Sequence, residues 1–541
     1  MSTIHDDEIV AMVTAVGTVG YGAAARQTVL SLLEHTAFPV VVGCDEVTEA
    51  LVPRSPRVRI ERVRAASGAR AEPFLAKFAT WQAALAHPGA KVFVHLDADA
   101  VLARPLTAAE VAAALCGSSL AMVEQTTITG STMGRPEFLR HFVEHSMAYL
   151  APVHPVPELH EFRFHNSGVI LFGALELRNF LHWAAATRAA SDGSHRVGAH
   201  MIADQDYLQV WANVLRRGRC AELGSEWNHC AWWDADFPRP DARIVHFSNF
   251  CDGPPFATVR RMESTRGVAT PVEERVSFLV VTHDSANTIR DGLDVLATFD
   301  GAEVVVVDNA SKDRTVDLLE GARVIRNATN VGFASAVAQA VEVATGSVLC
   351  LVNPDCFPTG EFLNAALVTL GRAPRTVVVP AYVHADGNVV AGRQPGYTRR
   401  KLFGDICETN GVPLRGVLAD GRRHDTTWHW PLAACLVVRA DVFTDLGGMD
   451  TGYFCYMEDV DFGQKCHRVG VDIVEVDVPV VHLGAAGSAV TADRRRALLD
   501  GARLAYARNH YGMAFALQLA VLRRVLRAAR AVLRSVRSVR S

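Results

Sequence analysis

The sequence predicts an α/β chain: two tandem, Rossmann-like domains, each a doubly wound and mostly parallel sheet, followed by a basic amphipathic helix. Three observations carry this. Apolar, β-favouring runs alternate with helix-like stretches in both halves, which implies βαβ units. The strands of each half end in carboxylates, as ligand sites of such sheets do. From Met513 onward there is no acid and there are seven arginines. At 541 residues the chain exceeds one ordinary core, so at least two domains are expected.

Composition excludes several classes. With 49% hydrophobic and 21% charged residues the chain is a globular protein, and a net charge of −4 offers no global basic field for nucleic acid. The eleven cysteines form no CxxC pair and no zinc-spaced Cys/His cluster, so reduced thiols in a cytoplasmic setting are expected. No basic segment followed by an apolar core opens the chain, so no signal peptide is expected. No run of about 18 apolar residues predicts a spanning helix.

The first half opens with the strand "EIVAMVTAV", a Gly-rich turn, the helix-like "AAARQTVLSLLEH" and a second strand, "FPVVVGCDE", ending at Asp45. The stretch "KVFVHLDADAVL", residues 91–102, is a buried strand that runs into Asp97 and Asp99. In extended chain, residues two apart share a face, so these carboxylates converge. Close carboxylates repel unless a positive charge lies between them, and a hard divalent cation such as Mn²⁺ or Mg²⁺ suits oxygen ligands. A simple strand-ending turn is the competing reading. Later, "ARIVHFSN" is a strand that ends at His246.

The second half repeats the plan. "RVSFLVVTHDSANTI" leads through the helix "TIRDGLDVLATF" to "AEVVVVDNAS", ending at Asp308. "SVLCLVNPDCF" ends in Asn353-Pro354-Asp355, with Asn in place of the first acid, and "VPVVHLGAAGS" carries His482. Between the halves, "TVRRMESTRGVATPVEER" has few large apolar residues and reads as a linker. The expected domains are therefore 1–265 and 274–511, with the tail at 512–541.

The motifs "VVTHDSA", "VVVVDNASKDRT", "NVGFASAVAQAV", "LCLVNPDCF" and "GGMDTGYFCYMEDVDFGQKCHRVG", in this order over residues 275–505, resemble a family 2 glycosyltransferase of rhamnosyltransferase-like kind. The resemblance implies a GT-A fold, a nucleotide-activated sugar donor and inversion. It implies a metal site at Asp355, with His482 as a further ligand and Asn353 as a neutral donor-side partner. Inversion needs a carboxylate base. "MEDVDF" offers Glu458, Asp459 and Asp461, and the resemblance assigns the role to Asp459; capping of a helix start is the alternative for these acids.

In the first half "HLDADAVL", "FHNSGVILF", "ADQDYLQVW" and "IVHFSN" resemble the family 8 type, which is also GT-A but retaining. The resemblance implies a metal clamp of Asp97, Asp99 and His246. It lines the donor sugar with Asn166, Asp204, Gln205 and Asp206, Gln205 facing the reacting side and Asp206 beside it. The segment "SNFCDGPPF" departs from the family's Gly-x-x-Lys-Pro-Trp, lacking lysine and tryptophan. The strand-end acids Asp45 and Asp308 are expected near the base or ribose. Lys77, in "FLAKFATW", is either a phosphate contact or a solvated lysine.

In the tail, Phe515, Leu519, Leu522, Leu526, Ala529, Leu533 and Val536 step by fours and threes. Arg523, Arg527, Arg530, Arg534 and Arg537 follow one residue on. Such a helix suits an anionic membrane surface; packing on the second domain is the alternative. The functional expectation is a metal-dependent, bifunctional glycosyltransferase. It would use nucleotide-sugar donors and a glycan or lipid-linked acceptor, with peripheral membrane attachment on the cytoplasmic side. The alternative keeps one active C-terminal transferase with a sugar-binding first half. A nucleotidyltransferase is disfavoured, because no Gly-rich loop bearing lysine follows either first strand.

Overall fold

The computed structural model describes residues 4–63, 72–125, 135–152, 154–155, 157–190, 196–197, 200–201, 203–230, 240–247, 256–268, 274–410, 412, 427–484 and 491–540. The chain divides into two compact units, Met1–Val268 with Ala385–Asn388, and Ala269–His384 with Val389–Ser541.

The first unit is built on a seven-stranded sheet. Its order is Cys220–Leu223, Leu120–Glu124, His165–Gly173, Val92–Leu96, Ile9–Ala15, Val40–Cys44, Val58–Arg62. The opening strand is apolar throughout because both its faces are covered. Ile9, Ala11 and Val13 pack with Val29 and Leu32 on one side, and Val10 and Met12 with Phe78 and Trp81 on the other. Its neighbours Val40–Cys44 and Val92–Leu96 run parallel to it. His165–Gly173 then runs antiparallel to both of its neighbours, Val92–Leu96 and Leu120–Glu124, and beyond it Cys220–Leu223 pairs parallel with Leu120–Glu124, so the sheet is mixed.

The second unit repeats this pattern: Arg323–Arg326, Glu303–Asp308, Val276–Thr282, Val348–Val352, Cys435–Arg439, Thr376–Val383, Asp472–His482 and Cys356–Phe357. The first four are parallel, and Cys435–Arg439 enters antiparallel to Val348–Val352. Each unit thus orders its parallel strands third, second, first, fourth in sequence, then inserts an antiparallel strand.

Part of the expected linker is structured. Residues Phe256–Thr265 form a helix, because Val259 and Met262 lie three apart on one face and are buried, with Arg260 paired to buried Glu263. Residues 269–273 of that stretch, and 248–255 of "SNFCDGPPF", lie outside the described residues.

Two helices close the second unit, Ala492–Tyr511 and Met513–Arg540, separated by Gly512 at φ 88. The expected lipid-facing stripe is only partly free. Leu519 is buried, and Phe515 and Leu522 pack beside it on a core of Tyr397, Leu402, Ile406, Tyr453 and Tyr506. Apolar area on this face is removed from water by the protein's own aromatic cluster, which corrects the assignment of Phe515, Leu519 and Leu522 to lipid. Among the described residues no helix is long and apolar enough to cross a membrane.

Candidate active sites

In the first unit, Val92–Leu96 delivers Asp97 at its carboxyl end. Asp99 follows, and the chain turns straight into the short strand Ala100–Leu102. That strand pairs antiparallel with Ile244–His246, in a register that sets His246 opposite Ala100. The ligand atoms of Asp97, Asp99 and His246 all lie within 4.8 Å of one another. His246 Nε2 is 3.2 Å from Asp99 Oδ1 and 3.7 Å from Asp97 Oδ2.

The second nitrogen fixes the ring. His246 Nδ1 lies 3.0 Å from Asn228 Oδ1, and Asn228 Nδ2 donates to Asn166 Oδ1 at 2.6 Å. With the Asn228 amide oriented by Asn166, its oxygen accepts from Nδ1–H, and Nε2 faces the two acids. Gly168 makes room: a Cβ there would come 2.2 Å from His246 Cε1. Burial opposes charge on His246, but Asp99 and Asp97 outweigh it and raise its pKa, so the position favours a positive charge. Two carboxylates and an imidazole so arranged fit a hard or borderline divalent cation such as Mn²⁺.

Lys77 is neither solvated nor free. It is buried, with Nζ 2.6 Å from Asp97 Oδ1 and 2.7 Å from Asp204 Oδ2. His95 Nε2 also reaches Asp97 Oδ1 at 3.1 Å, while Trp81 Nε1 donates to its Nδ1. Burial alone would raise the Asp97 pKa, but Lys77 and His95 hold it far below the usual carboxylate range. One oxygen of Asp97 is therefore committed to Lys77, and the other faces His246.

The remaining expected donor residues divide. Asn166 acts on the site through Asn228. Gln205 is bound to its own sheet: Oε1 accepts from Ser167 N at 2.9 Å and Nε2 donates to His165 O. Asp206 accepts from the Ser146 hydroxyl at 2.6 Å and from Ala203 N at 2.9 Å, holding the start of the helix Asp204–Val210. Asp45 builds a turn, accepting from Gly17 N at 2.7 Å and from Val47 N and Thr48 N at 3.1 Å.

In the second unit the same construction recurs. Cys356, next after Asp355, stands opposite His482 across an antiparallel pair. His482 Nε2 lies 3.3 Å from Asp355 Oδ1, and its Nδ1 is buried without a hydrogen-bond partner among the described residues. Asn353, Asp355 and His482 line a cleft of about 590 Å³ that also takes in Asp284, Asn309, Tyr456, Arg494 and Arg495. At the carboxyl ends of paired strands, Thr282 and Asp308 are opposite one another. Among the described residues, Thr282 Oγ1 and Asp308 Oδ1 are both buried with no hydrogen-bond partner, which suits a ligand bearing hydrogen-bond donors.

Four residues around this cleft hold left-handed backbone without being glycine: Asp284 at φ 52, Ala310 at φ 62, and Tyr456 and Met457 at φ 70. Such conformations concentrate where the fold over-determines a site. Gly332 is needed for a similar reason. Its φ is 91, Phe333 N donates to Phe454 O at 2.7 Å, and a Cβ on Gly332 would meet that oxygen at 2.5 Å.

The helix Glu458–Arg468 begins directly after this strained turn. Burial, and then the neighbouring charge of Asp459, push Glu458 up to about 8. Burial pushes Asp459 up to about 6, although Asp459 Oδ1 accepts from Val460 N at 2.9 Å. At neutral pH, Asp459 is therefore the ionised member of the pair and Glu458 the neutral one. Asp461 serves the packing of helices instead. His510 Nε2 lies 2.7 Å from its Oδ1, which ties this helix to Ala492–Tyr511. Trp430 belongs to the aromatic core, its Nε1 donating to Pro395 O at 3.0 Å.

Sequence reasoning missed Asn228, Lys77 as a buried cation, and the pair Arg494 and Arg495. Lys77 was detectable as the one basic residue of the largely apolar helix Glu72–Ala84. Asn228 carried no local signal.

The family model for glycosyl transferase family 2 matches residues 277–414. N-acetylglucosaminyl-diphospho-decaprenol L-rhamnosyltransferase of Mycobacterium tuberculosis, in strain H37Rv and in strain CDC 1551 / Oshkosh, is 29% identical over 198 residues. The match covers 32% of this chain and 64% of that protein, so the chain spans under two thirds of these curated relatives. The solved mannosyltransferase PcManGT from Pyrobaculum calidifontis, in complex with GDP-Man and Mn²⁺, is 17% identical. It covers 49% of this chain and 86% of that one at a TM-score of 0.28. Glucosyl-3-phosphoglycerate synthase from Mycobacterium tuberculosis, with Mn²⁺ and UDP, is 16% identical, covers 48% and 84%, and has a TM-score of 0.30. The C-terminal half of the chain carries a family 2 glycosyltransferase domain with a GT-A-like α/β fold.

Proposed function

We propose that the chain is a two-centred, metal-dependent glycosyltransferase. In this reading the second unit transfers a sugar with inversion from a nucleoside diphosphate sugar to a glycan hydroxyl. The observation that carries it is the cleft joining Asn353, Asp355 and His482 to Arg494 and Arg495, with the Glu458–Asp459 pair starting just beyond its Tyr456 wall.

The roles follow from the chemistry. Asp308 and Thr282 accept from the base or ribose of the donor. A divalent cation held by Asp355 and His482, with Asn353 beside them, would supply Lewis-acid stabilisation of the departing diphosphate. Arg494 and Arg495 add fixed positive charge facing the same phosphates. Asp459 takes the proton of the acceptor hydroxyl as its oxygen bonds to the anomeric carbon and the bond to the diphosphate breaks. Glu458, neutral at pH 7, keeps a second negative charge away from that base.

We extend the reading to the first unit as a second transferase centre of retaining type. Its support is the shared strand order and the shared device of a histidine opposite the residue after the acid. Asp97 through Oδ2, Asp99 and His246 would hold the cation, and Lys77 would keep Asp97 ionised. The activity of the decaprenol-linked relatives suggests a lipid-linked glycan acceptor. A second reading makes the first unit a sugar-binding module, favoured by the complete use of the Gln205 amide in holding the strand His165–Gly173.

The test is release of nucleoside diphosphate by the full chain across a panel of nucleotide sugars with Mn²⁺. Turnover of two donors, one lost in Asp459→Asn and the other in Asp97→Ala, is expected. Turnover of only one donor, unaffected by Asp97→Ala, would support the binding-module reading instead.

A further inference from the structure

The last helix presents a second apolar stripe that its packing leaves uncovered. Met513, Leu517, Val521 and Val525 recur every four residues and are 58%, 58%, 60% and 59% exposed. At about 100° per residue they occupy one side of the helix, roughly opposite the Phe515, Leu519 and Leu522 face that packs on the core. Isolated exposed apolar residues need no explanation, but an aligned row of four large ones does.

The charges beside this stripe are all of one sign. Arg524 and Arg527 are exposed and Arg523 is half-buried, and the three crowd one another enough that Arg527 and Arg524 add to burial in lowering the Arg523 pKa. The described counter-charge is Asp500, buried and 3.0 Å from Arg527 Nη2. By sequence, four further arginines and no acid follow Arg527. A partner for this face must therefore be apolar in one layer and anionic in the next.

We infer that the Met513–Leu517–Val521–Val525 stripe of the last helix docks on an anionic phospholipid surface, with the adjoining arginines meeting lipid phosphates. The helix lies along the interface and is too polar to span it. Leu517 and Val521 enter the acyl boundary, while the guanidinium groups reach headgroups on flexible stems. The aromatic face stays on the protein, so docking needs no unfolding of the tail. The inference does not depend on which sugar either unit transfers.

The experiment is co-sedimentation of the full chain with vesicles of phosphatidylcholine alone or with phosphatidylglycerol, at low and high salt. The parent should pellet with the anionic vesicles and less at high salt. The Leu517→Glu/Val521→Glu double variant should lower the partition constant about 100-fold, since each exposed side chain contributes roughly tenfold when buried in lipid. Leu175→Glu, at a 67% exposed site in the first unit, should leave it unchanged. Because these side chains are exposed, both variants should keep the parent's melting temperature. Equal pelleting of the double variant and the parent, or equal binding to neutral vesicles, would overturn the inference. So would elution of the parent as a dimer that the double variant abolishes, since a second copy would then cover the stripe.

Discussion

His482 Nε2 lies 3.3 Å from Asp355 Oδ1 because Cys356, the residue after that acid, stands directly opposite His482 in an antiparallel pair. The same register sets His246 opposite Ala100, the residue after Asp99. Strand pairing, not a flexible loop, brings an imidazole to a strand-end carboxylate in both units. This predicts sites that are rigid before any ligand arrives.

The base assignment predicts a sharp split between neighbours. Asp459→Asn should lower kcat of the second centre by about 10² to 10⁴, the usual cost of a general base, while nucleotide binding survives. Glu458→Gln, which replaces a group neutral at pH 7 with another neutral group, should retain most activity. Steady-state kinetics of both variants, with nucleotide binding by calorimetry, checks this. The reverse pattern would move the base to Glu458.

The same pair sets a pH dependence. A carboxyl raised to about 6 is protonated, and useless as a base, below that pH. Hence kcat/KM of the second centre should rise through about pH 6 and level off above it. An ordinary carboxylate near 4 would put the rise about two units lower. A pH–rate profile between pH 4.5 and 8, in buffers of constant ionic strength, decides between them.

For the first unit, Asn228→Leu should keep the fold and weaken Mn²⁺ binding by about 10- to 100-fold, because the His246 ring loses the acceptor that fixes its tautomer. Manganese titration followed by electron paramagnetic resonance reads this without any sugar donor. Asn228→Asp, which still accepts from Nδ1–H, should recover much of the loss.

Lys77 is predicted to matter for stability. Replacing it with Met leaves Asp97 and Asp204 near one another without their shared cation. Removing one partner of such a buried set costs about 3 kcal/mol. Denaturant unfolding should show the loss, and Lys77→Arg should recover part of it. An unchanged midpoint for Lys77→Met would mean that water already screens these acids.

Much of both sites was legible because it is local. Asp97 and Asp99 are two residues apart, and Asn353 and Asp355 likewise, but a turn after each strand, not the strand alternation expected, holds each pair: Ala100 N donates to Asp97 O at 3.1 Å and Cys356 N to Asn353 O at 3.0 Å. His246 and His482 were legible as strand ends, though not the register that aims them. What stayed hidden is long-range. Lys77 meets Asp204 across 127 positions, and Asn228 reaches Asn166 across 62. Asp461 read as a third candidate base, yet its partner His510 lies 49 residues on and takes it into a structural pair. The tail shows a related limit. Period and composition identified an amphipathic helix, but two apolar stripes fit its sequence, and only packing tells which one the protein keeps.

Transfer by the second unit, with Asp459 as its base, is tested most simply by nucleoside diphosphate release from the full chain, with Mn²⁺ and single nucleotide sugars, in parent and Asp459→Asn. The parent should consume a donor in an acceptor-dependent reaction, and Asp459→Asn should stop it while still binding the nucleotide. Acceptor-dependent release from the same donor at the parent rate by Asp459→Asn would contradict that role.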